Sequence, residues 1–135
     1  MNQNRRRARL DQGFTLIERL VVVIIIGILA AIAIPVFLNQ RQKGWDAAVK
    51  SDLKNAATAE HTYLAEAGTY TADVGILQVS GFKYSTGSNY SGGTAVIDAQ
   101  PDAGRGFCLE ARSASGAIWS YATVSGGLQS ENVTC

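Results

Sequence analysis

Reactive side chains are scarce in this chain of 135 residues, which has one histidine and two cysteines. The histidine, His61, lies between Glu60 and Thr62 with no serine or cysteine beside it to activate, so it reads as structural. Neither cysteine has the further Cys or suitably spaced His that a zinc site needs. The acids Asp73, Asp98, Asp102, Glu110 and Glu131 are scattered and lack the spacing of a compact calcium loop. Gly92-Gly93 and Gly104-Arg105-Gly106 miss the G-x-x-x-x-G-K pattern of a phosphate loop and read as turns. No catalytic set, metal or cofactor is therefore expected. Nor is there the polycationic footprint of a nucleic-acid binder. The net charge is +1, and four of the 12 basic residues fall within the first 13 positions. The remainder holds 8 basic and 10 acidic residues, a net charge of −2.

The sharpest shortage is local: between residues 20 and 38 there is no charged side chain. About 19 apolar residues at ~1.5 Å rise make ~28 Å of helix, close to the ~30 Å hydrocarbon core of a bilayer. Arg5, Arg6, Arg7 and Arg9 precede this run. Positive charge beside a first span holds that side in the cytoplasm, so the chain after residue 38 should face outward. A secretory signal cut near Ala31-Ile32-Ala33 is the rival reading. The run exceeds the usual ~7–15 residues of such signals, however, and an acid, Glu18, stands at its start. An ionisable group at membrane depth is a functional hypothesis by default, while locally Thr15-Leu16-Ile17-Glu18 also forms a capping box. Arg19 is poorly placed to neutralise Glu18 within one chain, because helix neighbours at i, i+1 do not face each other. It can snorkel to headgroups or pair with a carboxylate on another chain. Gly27 and Pro35 weaken a helix interior and predict a kink or loosening between residues 32 and 35, although membrane helices tolerate both residue types.

Gly13-Phe14-Thr15-Leu16-Ile17-Glu18 after a basic leader, followed by Gly27-Ile28-Leu29-Ala30-Ala31-Ile32-Ala33-Ile34-Pro35, resembles the processing region of type IV prepilins. The motif covers roughly a quarter of the chain. The resemblance implies a dedicated membrane peptidase and N-methyltransferase that cuts after Gly13 and methylates the new amine of Phe14. It also implies that Glu18 pairs with the Phe14 amine of a neighbouring subunit, and that the helix loosens around Gly27 and Pro35 during packing. The implied partners are further copies in a helical filament, the pilus assembly machinery and, before assembly, membrane lipid. Such a subunit passes from single-pass membrane protein, N-terminus inside and head outside, to extracellular pilus. Arg19 departs from the family pattern, which usually has an apolar residue there. A pseudopilin of a secretion or DNA-uptake system is an alternative, as is an anchored extracellular binding module that never polymerises. Some relatives in secretion systems bind calcium near the C-terminus, which the scattered acids leave open.

The chain thus divides into a leader over residues 1–13, an assembly helix over 14–38, an amphipathic continuation over 39–67 and a head over 68–135. Trp45, Ala48, Val49, Leu53, Ala56, Ala57, Tyr63, Leu64 and Ala67 recur at three- and four-residue spacing, the mark of one apolar helix face. Lys50, Lys54, Asn55, Thr58, His61 and Thr62 occupy the other side, and Asp46 with Lys50 forms a favourable i, i+4 pair. Gly68 is a natural C-cap. Beyond it, short Val- and Tyr-containing runs between turn signals predict antiparallel strands over residues 82–85, 94–98, 107–112 and 117–122, with 113–116 as a hairpin connection. The expected class is α+β, a long N-terminal helix whose second half packs on a small antiparallel sheet. Cys108 and Cys135 both fall on the outward side, where a disulfide is expected. Asn89-Tyr90-Ser91 and Asn132-Val133-Thr134 match the minimal glycosylation pattern.

Overall fold

The computed structural model describes residues 13–102 and 105–135; the expected leader, apart from Gly13, and Gly104 lie outside them. The first element is α1 (Leu16–Ala67), 52 residues long. Its start is capped reciprocally. The Thr15 N–H donates to Glu18 Oε2 at 2.8 Å, and the Glu18 N–H donates to Thr15 Oγ1 at 3.3 Å, which satisfies amides that have no partner in the first turn. Its end is Gly68, at φ +73°, whose N–H donates to the Leu64 carbonyl at 2.8 Å. A left-handed residue at that point favours glycine. The helix runs unbroken through Gly27 and Pro35. The chain forms two compact units, one ending at Phe37 and the other beginning at Leu38.

The second unit has a core because its part of α1 carries an apolar stripe. Val49, Leu53, Ala56, Ala57 and Ala59 are buried there, at three- and four-residue intervals. Opposite them stands a four-stranded antiparallel sheet of order β1 (Asp98–Asp102), β2 (Gly106–Arg112), β3 (Ile118–Ala122) and β4 (Gly127–Leu128). Alternation sorts the two faces of the sheet. Ala99, Phe107, Leu109, Ala111 and Trp119 are buried in the core with the helix stripe. Gln100, Cys108, Glu110, Ser120 and Ala122 alternate with them, and the register pairs Cys108 with Gln100 and Ala122, and Glu110 with Ser120. Between helix and sheet lie the short α2 (Val74–Val79) and two 3-10 turns, Gly87–Asn89 and Ser91–Gly93. Leu77, Phe82, Tyr90 and Ile97 from this connector complete the core.

The α+β class and the single long helix agree with expectation, while the details of the connector differ. No strand forms over residues 82–85: the Ser85 N–H donates to the Asp52 carboxylate at 2.9 Å, so it has no ladder to join. The strand expected at 94–98 begins at Asp98 and runs through Pro101, which is tolerated because β1 is an edge strand. The other two expected strands appear as β2 and β3, joined across residues 113–117, with β3 starting one residue later than expected. Two elements were not expected. The short α2 is capped by Asp73, whose carboxylate accepts the Gly75 N–H at 2.8 Å. The two-residue β4 begins a tail along the outer edge of β3, where the Gln129 and Asn132 N–H groups donate to the Ser120 and Ile118 carbonyls. The expected Asp46–Lys50 pair gives way to contacts with the sheet. Asp46 accepts the Ser115 hydroxyl at 2.5 Å, and Lys50 Nζ lies 4.2 Å from the Trp119 ring centroid.

Candidate functional site

From Phe14 to Leu38 the helix has no cover of its own. Its most apolar 18-residue window has a mean hydropathy of 3.2 with 0% buried, long and apolar enough by composition to cross a membrane. Phe14 is 77% exposed, Ile26 59% and Phe37 67%. Contiguous exposed apolar surface on this scale marks a membrane or protein interface, because removing it from water is worth ~25 cal/mol per Å².

The residues expected at the processing junction lie just before the helix begins. Gly13, Phe14 and Thr15 precede α1, and both Gly13 and Phe14 are exposed, so the bond between them is accessible. Glu18 and Arg19 fall in the first helical turn, both exposed, and Glu18 closes the capping box described above. The local role and the assembly role expected for Glu18 are compatible, since only Oε2 is engaged by Thr15. A side-chain carbon added at Gly27 would meet nothing within 4 Å, so no contact inside the chain demands a glycine there. Pro35 has no N–H to offer the carbonyl of Ala31, four residues earlier.

The head contains polar features that sequence reasoning missed. Asp52 is 3% exposed and its Oδ2 accepts three donors: the Ser85 N–H, the Ser85 hydroxyl at 2.7 Å and the Tyr90 hydroxyl at 2.5 Å. Glu60 is fully buried; its Oε2 accepts the Thr71 N–H at 3.1 Å, and its Oε1 has no partner among the described residues. Burial pushes the Glu60 carboxyl above its ordinary range, against the smaller opposing pull of the Thr71 N–H. Burial likewise raises the Tyr90 hydroxyl, helped by the Asp52 carboxylate it donates to, and raises Tyr84. The two acids sit eight positions apart on the stripe of Val49, Leu53 and Ala56, and this spacing was the signal available in the sequence. Together they hold the connector against α1 at two points, Thr71 and Ser85 to Tyr90.

The other expected head residues have structural surroundings. His61 is exposed, with its ring 5.3 Å from Phe107 and 6.1 Å from Tyr70. Among the described residues no group of three or more His, Cys, Asp or Glu is placed to hold a metal ion. Cys108 and Cys135 form a disulfide with a Cα–Cα distance of 5.7 Å. It ties the tail to β2, beside the Glu110 carboxylate that accepts the Cys135 N–H at 3.0 Å.

Comparison with known proteins bears on both units. A family model described as the prokaryotic N-terminal methylation motif matches residues 8–34. The major component of the type IV wide pilus of Thermus thermophilus is 33% identical over 121 residues, 90% of this chain and 88% of that protein. The type IV major pilin of Myxococcus xanthus is 44% identical over 61 residues, 45% of this chain but 28% of that protein. The type II secretion system core protein G of Pseudomonas aeruginosa is 42% identical over 55 residues, 41% of this chain and 39% of that protein. Since the Thermus match extends through nearly the whole length of both proteins, helix and head alike, the chain belongs to the type IV pilin family.

Proposed function

We propose that this chain is cut after Gly13 and polymerises through residues 14–38 of α1 into a pilus-like filament, of which it is a structural subunit. The observation that carries this reading is the exposed apolar half of α1, which the chain's own core does not cover. Lipid covers it before assembly and sister helices afterwards. The methylation-motif match across the junction supports a prepilin peptidase as the first partner and Phe14 as the methylated residue. The relatives are pilus and fimbrial proteins, and one belongs to a type II secretion system. That last likeness supports a pseudopilin as the second reading, with the same processing.

The assignment is tested on fibres sheared from cells. Mass and N-terminal sequencing should show a chain beginning at a methylated Phe14. A surface product that retains residues 1–13, or a membrane-held chain with no fibre, would overturn it in favour of a simple anchor.

A further inference from the structure

Charge is divided unevenly within the second compact unit, which begins at Leu38. Residues 38–59 hold 4 basic and 2 acidic side chains, a net charge of +2, while residues 60–135 hold 3 basic and 7 acidic, a net charge of −4. On α1 the lysines fall in line. Lys43, Lys50 and Lys54 are spaced i, i+7 and i+11, which at ~100° per residue puts them within ~40° of one another, along ~16 Å of helix. The acids of the same stretch are engaged elsewhere. Asp46 accepts the Ser115 hydroxyl, and Asp52 is buried with Ser85 and Tyr90. Lys43 and Lys54 are exposed, Lys50 lies over the Trp119 ring, and Glu131 of the tail shares a cleft with Lys43.

The opposite charge stands on the far face of the sheet. Asp98 and Asp102 point away from the core along β1, as does Glu110 on β2. Asp98 and Glu110 are also direct cross-strand partners. Like charges at such positions repel and weaken the ladder, so the pair gains from a cation. Arg112, the only cation on these two strands, donates instead to the Gly116 carbonyl at 3.4 Å. The lysine row cannot reach this face in its own chain, because the sheet lies between them, its other face in the core with the helix stripe. We infer that Lys43, Lys50 and Lys54 of one subunit dock on Asp98, Asp102 and Glu110 of a second copy of this chain. The contact rests on the assembly proposed above and gives the heads a polar seam beside the apolar one between helices. The two surfaces are of similar length, since Asp98 to Asp102 spans ~14 Å at ~3.4 Å per residue. They are also different surfaces of one chain. Such a heterologous contact leaves a free face at each end and extends into a filament unless its rotation closes a ring. Exposed ion pairs contribute little singly, but these recur at every subunit.

The test exchanges the signs of the seam in the full chain, and reads sheared fibre against processed subunit left in the membrane. Lys43→Glu with Lys54→Glu, or Asp98→Lys with Asp102→Lys, should each lower that ratio about tenfold or more, because like charges then meet across the interface. All four changes together rebuild the seam in reverse and should return the ratio to within about threefold of the parent. The four residues are exposed, so the melting transition of the detergent-solubilised chain should stay parental in every variant. Parental yield from either reversal, or no recovery in the combined variant, would overturn the contact. A loss confined to the lysine variant would overturn it too, by showing that the row meets another surface such as an anionic lipid headgroup. Should a reversed face fail to fold, Lys43→Gln with Lys54→Gln decides, since it removes attraction without adding repulsion: a lower yield supports the seam and a parental one rejects it. A parent chain that makes no fibre would remove the assembly reading itself, a failure distinct from these.

Discussion

Residues 14–38 and residues 45–67 lie on one helix but are covered by different means. In the first stretch the large apolar residues are exposed, and among its charges are only Glu18 and Arg19. In the second the apolar residues narrow to a stripe covered by the connector and the sheet, and the stripe includes two buried acids. Helix propensity favours the second, which lacks the glycine, proline and β-branched run of the first, yet both are helical. The first stretch is suited to a partner outside the chain, so its sequence is uniform and tolerant of which apolar residue stands where. The second must fit one particular surface, so individual positions matter.

The largest expected effect removes the charge at the exposed apolar stretch while keeping its local structure. Glutamine serves a capping box as glutamate does, so Glu18→Gln should retain the Thr15 cap, membrane insertion and the cut after Gly13. It should nevertheless enter fibres poorly, because removing one member of a buried charge pair costs about 3–5 kcal/mol. The measurement is sheared fibre against processed subunit left in the membrane. Parental fibre yield from this variant would make Glu18 a cap alone.

The comparison between stretches predicts that equal truncations have unequal effects on the head. Leu53, with no exposed surface, should cost about 3–5 kcal/mol as Leu53→Ala. Val23, 65% exposed, should leave head stability unchanged as Val23→Ala. Thermal unfolding of the detergent-solubilised full chain, followed by near-UV circular dichroism of the aromatic core, measures both. Equal shifts would mean that the two stretches are not separately covered.

The disulfide contributes to the head alone. Cys108 and Cys135 are 27 positions apart, and closing a loop of that length stabilises by about 3–4 kcal/mol in the chain-entropy model. Replacing both with serine should lower the same melting transition while leaving insertion and the cut after Gly13 intact. An unchanged transition would indicate that the tail's bonds along β3 suffice without the covalent tie.

Legibility in the sequence followed the same division. The exposed stretch was readable because its properties are local: hydropathy over consecutive residues, a capping box at fixed spacing, a charge beside a span. The disulfide was readable because only two cysteines exist. The connector was not, because its structure depends on distant partners. Residues 82–85 have strand-like side chains but donate to Asp52, 33 positions away. The six residues of α2 are too few for a helical period to show. Asp52 and Glu60 were hidden by their type: the apolar face was traced through hydrophobic residues, and the acids that share it were passed over. Hydrogen bonding to the connector is what makes their burial tolerable.

The smallest expected effect concerns Glu60 and depends on pH. Burial raises its carboxyl above the reference value of 4.5. In the window between that reference and the folded value, the native chain binds more protons than the unfolded one. Stability is then fully present below the reference value and falls as pH rises through the folded value. The ionised carboxylate is a cost to the head, since among the described residues only one of its oxygens has a partner. In Glu60→Gln the amide oxygen can still accept the Thr71 N–H, and no charge is buried. The variant should therefore gain in melting temperature relative to the parent at pH ~7, and that relative gain should shrink as pH falls toward ~4.5, where the parent becomes neutral at this position. Other acids titrate over the same range, but they are common to both chains and cancel in the difference. A difference that does not vary with pH would show that Glu60 ionises in the head as freely as in the unfolded chain, and would place its role in the Thr71 bond alone.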